Sequence, residues 1–216
     1  MKFKDMNLPN KLTTIRMWCV PLMVVLFVLY MLFTKLNVPS DFVVLWSNNP
    51  GYLTLTQIIM VIVFAFASIT DFVDGHLARK HNIVSDYGKL MDPLADKLLV
   101  NTTIICMLAA NMYEIGKGST LLFAIIAMIM SIIVIARDIF VDALRMQALK
   151  AKAVVPATIW GKLKTATLMP GIVFMLIGSF HGLLLTIGLT LMILGGLFAL
   201  IGGIKYYIDL SKYIGD

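Results

Sequence analysis

The sequence predicts an all-α integral membrane protein with six transmembrane helices. An N-terminal interfacial amphipathic helix precedes them, and both termini are expected in the cytoplasm. Three observations predict this. First, 60% of the 216 residues are hydrophobic and 14% charged, with a mean hydropathy of +0.91. Soluble domains average roughly 45–50% apolar and about 25% charged, and a chain of this length has too little interior to hide the excess. Second, six stretches approach the ~20 apolar residues that a spanning helix needs. Third, lysine and arginine gather at alternate ends of those stretches.

Met1–Thr14 is too polar to span. Phe3, Met6, Leu8 and Leu12 interleave with Lys2, Lys4 and Lys11, a pattern suited to a short helix in the membrane interface or to a frayed terminus. The spans follow at Met17–Phe33, Leu53–Thr70, Leu90–Ala110, Leu121–Phe140, Leu163–Phe180 and Leu183–Ile208. The first runs on without a small-residue cleavage pattern, so it is not read as a removable signal. Val38–Tyr52, with Pro39, Pro50, Gly51, Trp46 and Tyr52, reads as an external loop with aromatic anchors. In the last span Gly195, Ala199 and Gly203 recur every fourth residue, which permits close helix approach within the chain or between two copies. No repeat or second soluble domain interrupts the pattern, so residues 1–216 read as one membrane domain.

Of the 18 Lys and Arg residues, all but Lys35 and Lys117 fall on the side that holds both termini. That asymmetry makes this side cytoplasmic. The net charge of +6 therefore points to an anionic membrane surface rather than to nucleic acid. The two cysteines, Cys19 and Cys106, both lie in apolar runs and read as small buried hydrophobes, not a disulfide.

Four of the 12 acidic residues, Asp71, Asp74, Asp92 and Asp96, fall where span two ends and span three begins. Ionised groups at membrane depth cost ~2.5–3.5 kcal/mol each on insertion scales and usually mark a function. On helices Asp71 and Asp74 share a face at i,i+3, and Asp92 and Asp96 share one at i,i+4. Carboxylates brought together repel one another, and a hard divalent cation, Mg2+ or Mn2+, relieves the repulsion. Solvated pairing with Arg79, Lys89 and Lys97 is the plainer alternative. Gly75, Ala78 and Gly88 beside the acids leave room for a ligand to approach the backbone, and Arg79 offers a planar fork suited to phosphate.

The stretch from Asp71 to Asp96 resembles, at every fixed position, the CDP-alcohol phosphotransferase signature D-x2-D-G-x2-A-R-x8-G-x3-D-x3-D. The resemblance implies a six-helix membrane enzyme, commonly a homodimer, that displaces CMP from a CDP-linked donor with an acceptor alcohol. By motif position, Asp71, Asp74 and Asp92 would hold metal against the diphosphate. Asp96 would be the general base and a further metal ligand. Gly75, Ala78, Arg79 and Gly88 would line the CDP pocket, and Asn10 and Thr14 are further candidates for contact with CDP, although Asn10 also suits ordinary helix capping.

A second basic group bears on the acceptor. Arg137 and Arg145 are eight residues apart, at helical spacing on nearly one face, and Lys162 and Lys164 open span five. Four cations at one mouth could hold an acceptor phosphate, or could serve as positive-inside anchors in contact with lipid headgroups. Asn7-Leu-Pro-Asn-Lys-Leu-Thr13 with Arg16, Ala136-Arg-Asp138 with Leu144-Arg145, and Gly161-Lys-Leu-Lys-Thr165 are similar to the bacterial branch of the family that uses sn-glycerol 3-phosphate. That likeness implies CDP-diacylglycerol and glycerol 3-phosphate as substrates at the cytoplasmic face of the plasma (inner) membrane. The same chemistry on another alcohol, such as inositol phosphate, stays open. A divalent-cation transporter fits less well, because transport sites lie near the bilayer midplane. A purely structural membrane protein leaves the four acids unexplained.

Overall fold

Among the described residues six helices lie close to the six apolar stretches. In a computed structural model they are α1 (Leu8–Lys35), α2 (Leu55–His81), α3 (Asp86–Ala109), α4 (Leu121–Lys150), α5 (Ile159–Leu176) and α6 (Gly182–Ser211). The structure describes residues 8–35, 43–46, 52–81, 86–110, 112, 121–150 and 158–211. Within these, the side chains of 8–9, 35, 43–46, 52, 71–81, 86–90, 92–93 and 149–150 are outside the description. Among the described residues, Asn10–Thr34, Leu121–Ala148 and Gly182–Ser211 are long and apolar enough to cross a membrane. Large apolar side chains such as Ile62, Phe66, Leu122, Ile132, Ile139 and Ile204 stay exposed along the helices. Water tolerates few such faces and lipid favours them, so this is a helical membrane protein.

Two local features differ from the sequence expectation. The loop after α1 contains an antiparallel pair, β1 (Val43–Trp46) with β2 (Tyr52–Thr54), registered Trp46 to Tyr52 and Val43 to Thr54. Its β-branched and aromatic residues around Pro50-Gly51 favour a hairpin over plain loop. Leu8–Thr14 forms the first turns of α1 and not a separate helix. Pro9 suits a first turn, and nothing between Thr14 and Met17 breaks the helix. Residues 1–7 lie outside the described residues.

The chain divides into two compact units. The first comprises residues 1–112 with 179–181. In it α1 packs on α2 and α3 through large side chains, among them Met23, Phe27, Met60, Phe64, Leu99 and Met107, each at most 2% exposed. A capping box opens α2: the Gln57 amide donates to Thr54 Oγ1 at 3.3 Å, and the Thr54 amide donates to Gln57 Oε1 at 3.1 Å. Gln57 Nε2 also donates to Ser179 Oγ at 2.8 Å.

The second unit comprises residues 113–178 with 182–216 and is built on glycine. A Cβ on Gly188, Gly195 or Gly202 would lie 2.9 Å from the Met175 amide nitrogen, 2.5 Å from Leu168 Cδ2 and 3.1 Å from Trp160 Cβ respectively. These pairs run in opposite order along α5 and α6, so the two helices are antiparallel. Gly196 faces Met130 and Gly203 faces Arg137, which rise together, so α4 and α6 run the same way. The small residues of the last span, Gly195, Ala199 and Gly203, are buried inside this unit, the two glycines against α5 and α4. Cys19 and Cys106 are free thiols.

Candidate active site

In the first unit the buried stripe of α2 passes through Gln57, Met60, Phe64 and Ala67. Positions 71, 74 and 78 continue the same alternation of three and four residues along that helix. The backbone therefore carries Asp71-Phe-Val-Asp74-Gly75-His-Leu-Ala78-Arg79 as the last turns of α2, and Gly88, Asp92 and Asp96 as the first turns of α3. On α3, Asp96 is half-buried beside Ala95, Leu99 and Val100, which are buried. The side chains of Asp71, Asp74, Gly75, Ala78, Arg79, Gly88 and Asp92 lie outside the described residues. The backbone places each acid pair on a single helix, and α2 and α3 touch. Among the described residues no group of three metal-liganding side chains stands together. Carboxylate oxygens are the ligand type that a hard divalent cation takes, so these four residue types fit one chemically.

The start of α1 adds a polar stripe to this unit. Asn10, Thr13 and Arg16, three residues apart, are 3%, 0% and 1% exposed. Thr14, a sequence candidate, is half-buried, and its hydroxyl donates to the Asn10 carbonyl at 2.8 Å. Thr13, one residue earlier, shares the buried face with Asn10. The sequence reading counted Arg16 with the cytoplasmic-side cations and in the family resemblance, without a place in the site, and the fold buries it. The signal was present in the sequence: polar residues at i, i+3 and i+6 where an apolar span begins.

In the second unit Arg137, Arg145 and Lys164 come together near the C-terminal half of α4 and the second turn of α5. Lys164 Nζ donates to both Asp138 oxygens at 2.7 Å, and Arg137 Nη1 reaches the same Oδ1 at 3.1 Å. Asp138 is 2% exposed. A bidentate, charge-assisted arrangement of this kind is what a buried pair needs to offset its desolvation. Lys162 is exposed. Arg145 Nη2 donates to Tyr206 Oη at 2.6 Å. The guanidinium carbons of Arg145 and Arg137 lie 5.1 and 5.7 Å from the Tyr206 ring centroid, within cation–π range. Neither Asp138 as the Lys164 partner nor Tyr206 was a sequence candidate, because their partners are 26 and 61 residues away. Beside Arg137 a cavity of about 440 Å³ opens between α4 and α6, lined by apolar groups of Ile133, Phe140, Leu200 and Ile204 among others.

The chain belongs to the CDP-alcohol phosphatidyltransferase family, whose model matches residues 6–197. Among its relatives is a Rickettsia bellii protein named CDP-diacylglycerol–glycerol-3-phosphate 3-phosphatidyltransferase. It is 29% identical over 212 residues, 97% of this chain and 98% of the relative. A Rickettsia prowazekii protein of the same name is 33% identical over 81% of this chain and 77% of its own. A Bacillus subtilis protein, again so named, is 31% identical over 74% and 70%.

Proposed function

We propose that this chain transfers the phosphatidyl group of CDP-diacylglycerol to sn-glycerol 3-phosphate, giving phosphatidylglycerophosphate and CMP. The observation that carries the reading is the complete acid-glycine-arginine signature, seated on the end of α2 and the start of α3. The names of the relatives support the choice of substrates.

Asp71, Asp74 and Asp92, with Asp96, hold a divalent cation, Mg2+ or Mn2+. When bound, it neutralises the donor diphosphate and makes CMP a better leaving group. Gly75, Ala78 and Gly88 admit the CDP moiety close to the backbone, Arg79 pairs with its phosphates, and Asn10 and Thr14 contact it from α1. The Asp96 carboxylate takes the proton of the acceptor hydroxyl. The freed oxygen bonds to the phosphorus that bears the lipid, and the phosphorus–oxygen bond to CMP breaks in line with the attack. Arg137, Arg145, Lys162 and Lys164 bind the acceptor phosphate, with Asp138 holding Lys164 in the absence of ligand.

The reading includes six spans, an interfacial segment within residues 1–14 whose later turns run on into α1, and a single functional domain over 1–216. Both termini and the site face the cytoplasm of the plasma (inner) membrane, and the working form is a homodimer. The lysine and arginine asymmetry supports the orientation. Purified protein supplied with CDP-diacylglycerol and Mg2+ or Mn2+ is expected to release CMP with glycerol 3-phosphate and far less with inositol phosphate. Release with inositol phosphate alone would move the acceptor, and release with neither would remove the enzyme reading.

A further inference from the structure

We propose that Tyr206 is the positioning residue of the acceptor site, holding the Arg137 and Arg145 guanidinium groups for one phosphomonoester; this rests on the assignment of those arginines to the acceptor phosphate. Arg137 and Arg145 stand two turns apart on α4, roughly 12 Å along the helix axis. Two cations on long side chains at that separation would ordinarily diverge. Here one ring serves both. Arg145 lies 5.1 Å and Arg137 5.7 Å from the centroid, and the phenol oxygen accepts from Arg145 at 2.6 Å.

The ring itself is fixed. Tyr206 is 1% exposed and packs with Val141, Leu144, Ala148 and Leu210. α6 also makes the space in which Arg137 lies. A Cβ on Gly203 would come within 3.0 Å of Arg137 Cγ, and one on Gly202 within 3.3 Å of its Nη2. Gly202, Gly203 and Tyr206 therefore act in one direction, confining Arg137 beside the ring. Asp138 Oδ1 also holds Arg137 Nη1, at 3.1 Å. A planar fork held on a rigid ring loses little freedom when a phosphate binds, so the effect belongs in acceptor affinity and not in chemistry.

Tyr206→Phe keeps the ring and removes the hydroxyl. In steady-state assays with both substrates varied, the KM for glycerol 3-phosphate is expected to rise about tenfold, as for loss of a hydrogen bond to a charged group. The kcat and the KM for CDP-diacylglycerol should stay within about twofold. Arg145→Lys should raise the same KM, and adding Tyr206→Phe to it should raise it little further. If Tyr206→Phe does not fold, Tyr206→His enters the same comparison. An unchanged acceptor KM, or an equal loss in every parameter, overturns the proposal while leaving wild-type turnover of glycerol 3-phosphate intact. Absence of that wild-type turnover overturns it together with the functional reading.

Discussion

The two units treat charge and packing in opposite ways. The first joins its helices through large side chains and carries the signature acids as a local run, each pair on a single helix. The second joins its helices through glycine and ties its cations to distant partners, Lys164 to Asp138 and Arg145 to Tyr206. A local run can be read from spacing alone, because helical periodicity brings i, i+3 and i+4 together without help from the rest of the fold. A long-range polar contact depends on how α4, α5 and α6 register, and no short window of sequence specifies that.

Breaking each unit where it differs from the other sharpens the contrast. The largest effect is expected from Asp96→Asn, with turnover falling about 10²–10⁴-fold, the usual range for a general base, while CDP binding is largely kept. A loss of CDP binding as large as the loss of turnover would make Asp96 a metal ligand alone and not the base. Next, Lys164→Met leaves the buried Asp138 carboxylate half-satisfied and should cost about 3 kcal/mol or more in unfolding stability. Asp138→Leu combined with Lys164→Met should recover most of that loss. A double variant as unstable as the single would deny the pair its structural role.

Gly196→Ala follows, since its Cβ would meet Met130 Cβ at 2.5 Å. Overpacking of this kind costs about 1–3 kcal/mol, visible as a lower Tm in detergent. An unchanged Tm would show that α4 and α6 yield easily. The smallest effect is expected in the first unit from Thr54→Ala, which removes one half of the capping box at α2 and should cost about 1 kcal/mol. A larger loss would mean that the Gln57–Ser179 bond depends on that cap.

Much of the fold was legible. The six helices fall on the six apolar stretches because span length and apolar composition are local properties. The helices run past the predicted ends wherever polar turns continue a helix beyond the apolar core. α2 reaches His81 and α4 reaches Lys150, against expected ends at Thr70 and Phe140. The β1–β2 pair was missed because Pro50-Gly51 and the polar residues around it read as loop. The signature acids stood out as candidates through spacing, which is local, and the backbone carries them on α2 and α3. The burial of Arg16 was signalled by the spacing of Asn10, Thr13 and Arg16 but was missed, because a cation at a span end also counts as positive-inside charge. Lys164 read as a free phosphate ligand because only the packing of α4 on α5 brings Asp138 to it.

The central claim is that Asp71, Asp74, Asp92 and Asp96 bind a nucleotide diphosphate through a divalent cation. Calorimetric titration of CDP into the purified wild-type protein, with Mg2+ and then with excess chelator, tests it most directly. The account predicts saturable binding with Mg2+ that disappears with chelator and in Asp71→Asn. Equal CDP affinity in all three conditions would contradict it.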